Sequence, residues 1–267
     1  MARQKGVMKY VGTIGDVRHF KIKGNQGYFA GMIGGPTGEQ IATAPEFART
    51  RENMNEFAGC AMVGKSLRVY LASLLKSMAD NQVTGRLTAI MKKINLEDGS
   101  EARGQRAVLI STVPQYLEGF EFNRFVSFGG TITAPFTITP TVERDSSTVV
   151  FQPFNPLSYL NIPSGATHFR LVNAISAISD FQFNATTGGY EPKEPVLNEL
   201  VDIKYSAFIP VNAVTPAITI TSAFAGSPTL TSDVSVLNVI GIEFFQDVNG
   251  NKYLFSQGNC MKICKIF

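Results

Sequence analysis

Tryptophan is absent from the 267 residues, histidine occurs only twice and cysteine three times. The histidines, His19 and His168, both fall in strand-forming contexts, so no Ser/His/Asp or Cys/His constellation for nucleophilic catalysis is legible. Cys60, Cys260 and Cys264 are an odd number in a chain without a secretion signal, and reduced thiols in a cytoplasmic protein are the expectation. The opening Met1-Ala-Arg-Gln-Lys-Gly6 is basic, but no apolar signal core follows it. No run of about 18 apolar residues occurs, so no membrane-spanning helix is expected. Charge is also scarce: 17% of residues are charged against 44% hydrophobic. Such a chain is globular, and either its core is large or part of its outside is covered by a partner.

What is present is unevenly distributed. Residues 1–106 carry 16 Lys/Arg and 9 Asp/Glu, a net of +7, whereas residues 107–267 carry 8 and 12, a net of −4. A basic front and an acidic back can steer head-to-tail self-association, or the front can meet nucleic acid. Phenylalanine is frequent, 20 residues, and supplies apolar packing surface without a polar handle.

Three stretches follow from the periodicity. Residues 8–34 read as a β-hairpin, with Val17, His19, Lys21 and Lys23 alternating against Arg18, Phe20 and Ile22 and a turn at Gly24-Asn25-Gln26-Gly27. Residues 43–95 read as two to three helices. Thr43 and Glu46 form an expected capping box with Pro45 in the first turn. Leu67, Tyr70, Leu71, Leu74, Leu75 and Met78 then mark an amphipathic face, and a further helix runs from Val83 to Ile94, ended by Asp98-Gly99-Ser100. From 107 onward the chain reads as all-β, with strands near 120–122, 131–139, 149–151, 168–172, 178–183, 201–208 and 240–245. A type I′ hairpin is expected at Asn249-Gly250. The expected fold is α+β: a basic hairpin-plus-helical region, 1–106, and an acidic antiparallel β-sandwich-like domain, 107–267.

Each chemical motif has a plainer reading beside it. Residues 59–66, Gly59-Cys60-Ala61-Met62-Val63-Gly64-Lys65-Ser66, fit G-x-x-x-x-G-K-[ST], in which backbone N–H groups cradle phosphates. A buried strand should precede such a loop, yet residues 49–57 are polar and helical, so a helix–turn–helix joint accounts for the glycines better. Cys260 and Cys264 would point the same way along a strand, but two thiols are too few for structural zinc, and buried inert thiols are expected. Glu243 and Asp247 sit by a hairpin, where a solvated turn is the usual role. Arg3, Lys5, Lys9, Arg18, Lys21 and Lys23, interleaved with Tyr10, Phe20 and Tyr28, could hold a nucleic-acid strand by charge and stacking, although no reading motif accompanies them.

Several strings together resemble a family of uncharacterised bacterial proteins found chiefly in Bacteroidetes. They are Met1-Ala-Arg-Gln-Lys-Gly6, Gly12-Thr-Ile-Gly-Asp16, Arg49-Thr-Arg-Glu-Asn53, Ile162-Pro-Ser-Gly-Ala-Thr-His-Phe169, and Gly241-Ile-Glu-Phe-Phe-Gln246 with Val248-Asn-Gly250. The resemblance covers most of the chain and implies a bacterial, full-length, unprocessed protein whose halves belong together. It carries over no activity and no site residue.

The resulting expectation is a non-enzymatic structural protein that associates with copies of itself as a filament, tube or shell subunit. No catalytic residue, metal or cofactor is assigned. The alternative is a binding module that grips a polymer such as nucleic acid through the basic hairpin. The early hairpin and the C-terminal strand, with Met261, Ile263, Lys265 and Phe267 alternating, are the natural elements for strand addition to a neighbour, although the tail could equally complete its own sandwich.

Overall fold

The computed structural model describes residues 2–267. Helices and antiparallel sheets are mixed in an α+β chain that forms two compact units, Met1–Arg51 and Glu52–Phe267. The helical residues after Arg51 share a core with the β-strands of the second unit.

The first unit holds β1 (Ala2–Arg3), β2 (Gly12–Ile14), β3 (Val17–Phe20) and β4 (Phe29–Met32), in the order β1-β4-β3-β2. The expected hairpin is β3–β4, with Phe20 opposite Phe29. A second hairpin joins β2 to β3 through Gly15-Asp16, with Ile14 opposite Val17. Gly15 has φ 55° and Asp16 is not in the left-handed region, the pattern of a two-residue turn that begins on glycine. The helix α1 (Gly38–Thr43) follows. Its capping box is Thr37 with Gln40: the Gln40 N–H donates to Thr37 Oγ1 at 3.1 Å and the Thr37 N–H to Gln40 Oε1 at 2.8 Å. Thr43, expected to open a helix with Glu46, instead closes this one, and its hydroxyl donates to the Glu39 carbonyl.

A 3-10 turn, Pro45–Phe47, leads into α2 (Ala48–Tyr70), which is continuous through 59–66, with no helix–turn–helix joint. After Leu71 come α3 (Ala72–Met78) and α4 (Val83–Glu97), the latter ending at Asp98 as the sequence implies.

The strands of the second unit are β5 (Phe136–Pro140), β6 (Ser146–Phe151), β7 (His168–Ser179), β8 (Phe181–Asn184), β9 (Gly189–Pro192), β10 (Val201–Tyr205), β11 (Ile209–Pro210), β12 (Ile218–Ala223), β13 (Val234–Val248), β14 (Asn251–Leu254) and β15 (Cys260–Ile266). The long strands β7 and β13 pair from Val234↔Ser179 to Phe245↔His168 and form the spine of a six-stranded sheet. β12, β6 and β5 make a separate three-stranded sheet, and β8 and β9 a ribbon.

Period-two alternation along β7 and β13 sends side chains to opposite faces of the sheet, with Ile175, Ala177, Val234 and Val236 packing in a third cluster around Phe224. Val172, Ala174, Ile178, Leu237 and Val239 pack against Leu67, Leu71, Leu74 and Met78 and against Leu87, Met91 and Ile94 of the helices. Phe169, Leu171, Ile240, Ile242 and Phe244 pack against Val149, Phe151 and Ile220 of the three-stranded sheet. With both faces covered, these strands lack a regular apolar–polar alternation, which is why the sequence reveals them only in part.

The hairpin at Asn249-Gly250 is as expected: Val248 faces Asn251, and the two turn residues have φ 53° and 86°. The C-terminal strand departs from strict alternation. Cys264 is an extra residue in the pairing of β15 with β13, a bulge, so Ile266 rather than Lys265 joins Met261 and Ile263 against the helices. The outer edge of β15 is closed by the segment before β5. Gly119 and Phe122 donate to the Ile263 and Met261 carbonyls at 2.8 and 3.1 Å, and Ile263 donates back to Phe120. The tail thus completes its own sheet.

Candidate functional site

The phosphate-loop-like string lies wholly inside α2, where the N–H groups donate to carbonyls one turn back and cannot converge on a phosphate. Of its two glycines, Gly59 serves packing. A β-carbon at Gly59 would lie 2.5, 2.6 and 2.7 Å from ring atoms of Tyr190. Tyr190 is itself fixed, because it is buried and its hydroxyl donates to the Arg106 carbonyl at 2.8 Å. Gly59→Ala gains roughly 1 kcal/mol of helix propensity but forces a buried ring to move, which costs roughly 1–3 kcal/mol. The steric cost prevails, and urea denaturation should show net destabilisation of up to about 2 kcal/mol. Stability equal to the parent's would mean that the ring yields freely.

The three thiols occupy two cores on opposite faces of the large sheet, Cys60 on the helical side and Cys260 with Cys264 on the other. Burial pushes Cys60 and Cys264 up to about 12 and Cys260 up to about 11. Among the described residues no three His, Cys, Asp or Glu side chains are grouped to hold a metal ion.

Glu243 differs from its expected solvated role. It is buried, accepts from Arg170 Nε at 2.6 Å and from Ser77 Oγ at 2.9 Å, and lies opposite Arg170 across the β7–β13 pair. The Arg170 guanidinium in turn lies 4.0 Å from the Tyr205 ring centroid and 5.1 Å from that of Phe245. Asp247 behaves as a turn residue: it accepts the Gly250 N–H at 2.8 Å and pairs with Lys252.

One concavity was not visible in the sequence. It is a cleft of about 740 Å³ in the second unit, between the end of α3 (Lys76, Ser77, Ala79, Asp80, Asn81), residues 123–131, Asn161 with Pro163, and residues 256–259. Its walls are well determined. Asp80 accepts the N–H groups of Gln82 at 2.6 Å and Arg124 at 2.8 Å and pairs with Arg86 at 2.6 Å. Burial would raise its carboxyl, but these donors and the Arg86 charge hold it below the ordinary range. Asn123 Oδ1 caps the N–H groups of Phe125 and Val126. Asn259 Oδ1 accepts the Phe244 N–H at 2.9 Å, while its amide donates to the Phe255 carbonyl. Gly258 adopts φ 83° and lies so close to Pro163 that a β-carbon there would meet its ring at 2.3 Å. By contrast, the Asn81, Asn161 and Gln257 side chains are exposed and make no hydrogen bond among the described residues. Scattered Asn, Ser and Gly read in sequence as turn formers, so only the fold brings these amides together.

The first unit presents the other distinctive surface. None of the described residues 2–51 is buried. Val7, Met8, Val11, Ile14, Met32 and Ile33 are all exposed, Met32 by 73% and Ile14 by 59%. The basic side chains are interleaved with rings as the sequence suggests: Lys21 Nζ lies 4.6 Å from the Tyr28 centroid, Arg18 lies 5.8 Å from that of Phe20, and Phe20 stacks on Phe29 at 6.3 Å. The unit carries eight Lys/Arg and three Asp/Glu, a net of +5, while residues 52–267 carry 16 and 18, a net of −2. Among the described residues no helix is long and apolar enough to cross a membrane. Set against protein-family models, curated proteins and solved structures, the chain matches none of them.

Proposed function

We propose that this protein is a non-enzymatic structural subunit of the bacterial cytoplasm that assembles with copies of itself, the first unit being the arm by which one copy grips the next. The observation that carries this reading is an ordered four-stranded sheet without a single buried residue among 2–51. Ordering a chain costs about 1–2 kcal/mol per residue in backbone entropy, and sheets of this size need a covered hydrophobic face. The exposed Ile14 and Met32, each opposite Val17 and so on one side of the sheet, supply such a face, and covering it in an assembly would offset that cost. A second copy suits it, because a basic arm meets an acidic body. In the second unit, we read the three-stranded sheet stacked on the six-stranded one as a sandwich-like arrangement with helices on its far side. A head-to-tail contact of this kind gives a ring if it closes and a filament, tube or shell if it repeats.

Negative-stain microscopy and light scattering on the full chain test the proposal. Regular assemblies are expected, and Ile14→Lys with Met32→Lys should reduce them to monomers of unchanged helix and strand content. A monodisperse parent monomer across protein and salt concentrations would overturn it. If that monomer bound single-stranded nucleic acid with salt-dependent affinity, the arm would be a nucleic-acid grip instead.

A further inference from the structure

We infer that the cleft beneath the end of α3 is a binding site for neutral saccharides. Its volume, about 740 Å³, falls in the range of small-molecule sites. The chemistry of its free groups selects the ligand. Asn81, Asn161 and Gln257 each offer an acceptor and two donors to one space, and no group of the described chain uses them. Sugar hydroxyls both donate and accept, and they match amides without requiring a charge. Phe125 stands at the rim, 71% exposed, with the Arg124 guanidinium 4.6 Å from its centroid on one face and the rest of the ring open to stack on a pyranose.

Other ligand classes fit less well. An extended peptide needs pockets for alternate side chains, and the cleft offers few apolar walls beyond Ala79, Val126 and Pro163. An anion would find one lysine, Lys76. Hydrolysis of a glycosidic bond ordinarily takes a pair of carboxyl groups, whereas the one carboxylate among the lining residues, Asp80, is held by Arg86 and two backbone N–H groups. The site therefore binds without cleaving. The inference is independent of assembly, since it uses no residue of the arm.

The test presents the full chain to immobilised short cello-, malto-, manno- and chito-oligosaccharides, followed by titration of the best binder. At least one should capture the protein, with an affinity insensitive to salt. Phe125→Ala and Asn161→Ala, both at exposed positions, should each weaken that binding about tenfold. Phe57→Ala, an exposed ring outside the cleft, should leave it unchanged. The arm variant Ile14→Lys should bind as the parent does. Capture by no member of the panel, or capture that Phe125→Ala and Asn161→Ala leave intact, overturns the assignment. So does displacement of the sugar by unrelated extended peptides.

Discussion

Lys92→Met is expected to destabilise the second unit by roughly 3–5 kcal/mol, a large share of the stability of an ordinary domain. Lys92 pairs with Glu56, which is 2% exposed, and also donates to Asn95 Oδ1 at 2.9 Å. Glu56 in turn accepts the Gly104 N–H at 2.7 Å, and Asn95 donates to the Arg106 carbonyl at 2.6 Å. The pair thus ties α2, α4 and the loop after α4 together, and removing the cation leaves a carboxylate buried without its partner. Burial by itself raises the Glu56 carboxyl. The hydrogen bonds from Lys92 and Gly104 and the charges of Lys92 and Arg106 outweigh it, and the group is held below its usual 4.5. A lowered carboxyl contributes stability that is complete above pH 4.5 and is lost as pH falls through the folded value. In Lys92→Met that contribution is gone, so the penalty should be large at pH 7 and shrink toward pH 4 as Glu56 takes up a proton. Adding Glu56→Gln should recover part of the loss at pH 7. Urea titrations of the parent, both single variants and the double variant at two pH values check this. A penalty independent of pH would point to lost lysine packing instead.

Asn173→Leu is expected to cost about 3 kcal/mol or more, because it strands several buried polar groups at once. Asn173 is fully buried in β7 on the face toward the three-stranded sheet. Its amide donates to the Ser147 carbonyl of β6 at 3.0 Å and to the Ile220 carbonyl of β12 at 3.1 Å, and its Oδ1 accepts from Asn238 at 2.7 Å. Ser222 Oγ donates to its carbonyl at 2.9 Å. Hydrophobic contacts such as Phe151 with Phe169 and Leu171 hold the two sheets together but tolerate sliding, whereas this network fixes one relative position. A double-mutant cycle with Asn238→Leu should give a coupling energy of about 1–3 kcal/mol. Additive effects would mean that the two amides act separately.

Four of the strings quoted from the sequence have structural reasons. Gly12–Asp16 spans the glycine turn between β2 and β3, and Arg49–Asn53 is the first part of α2. Residues 162–169 hold the Gly165 turn, φ 90°, that leads into β7, and 241–250 run from the close approach of Gly241 to Met78 Sδ to the Asn249-Gly250 turn. These strings therefore serve turns, packing and a helix start.

Local chemistry was enough to specify what depends on near neighbours. The Asn-Gly hairpin, the apolar period from Leu67 to Met78 (split at Leu71 between α2 and α3), the period of α4, the end at Asp98 and the α+β mixture were legible, because turn sterics and helical periodicity act within a few residues. Where the sequence offered two local solutions, it misled: Thr43 with Glu46 matched a capping box, but Thr37 with Gln40 made one a turn earlier. What depended on distant partners was decided only by the tertiary structure. Gly59 read as part of a helix–turn–helix joint, whereas it lies inside α2 against the Tyr190 ring, and Glu243 read as solvated, whereas Arg170 and Ser77 close over it. The Cys264 bulge, the alternation of β7 and β13 between cores on opposite faces, and the convergence of Asn81, Asn161 and Gln257 on one cleft were likewise set by long-range pairing. Burial on both faces removes the polar alternation that would announce a strand, and a site assembled from four separated segments leaves no spacing for a sequence to display.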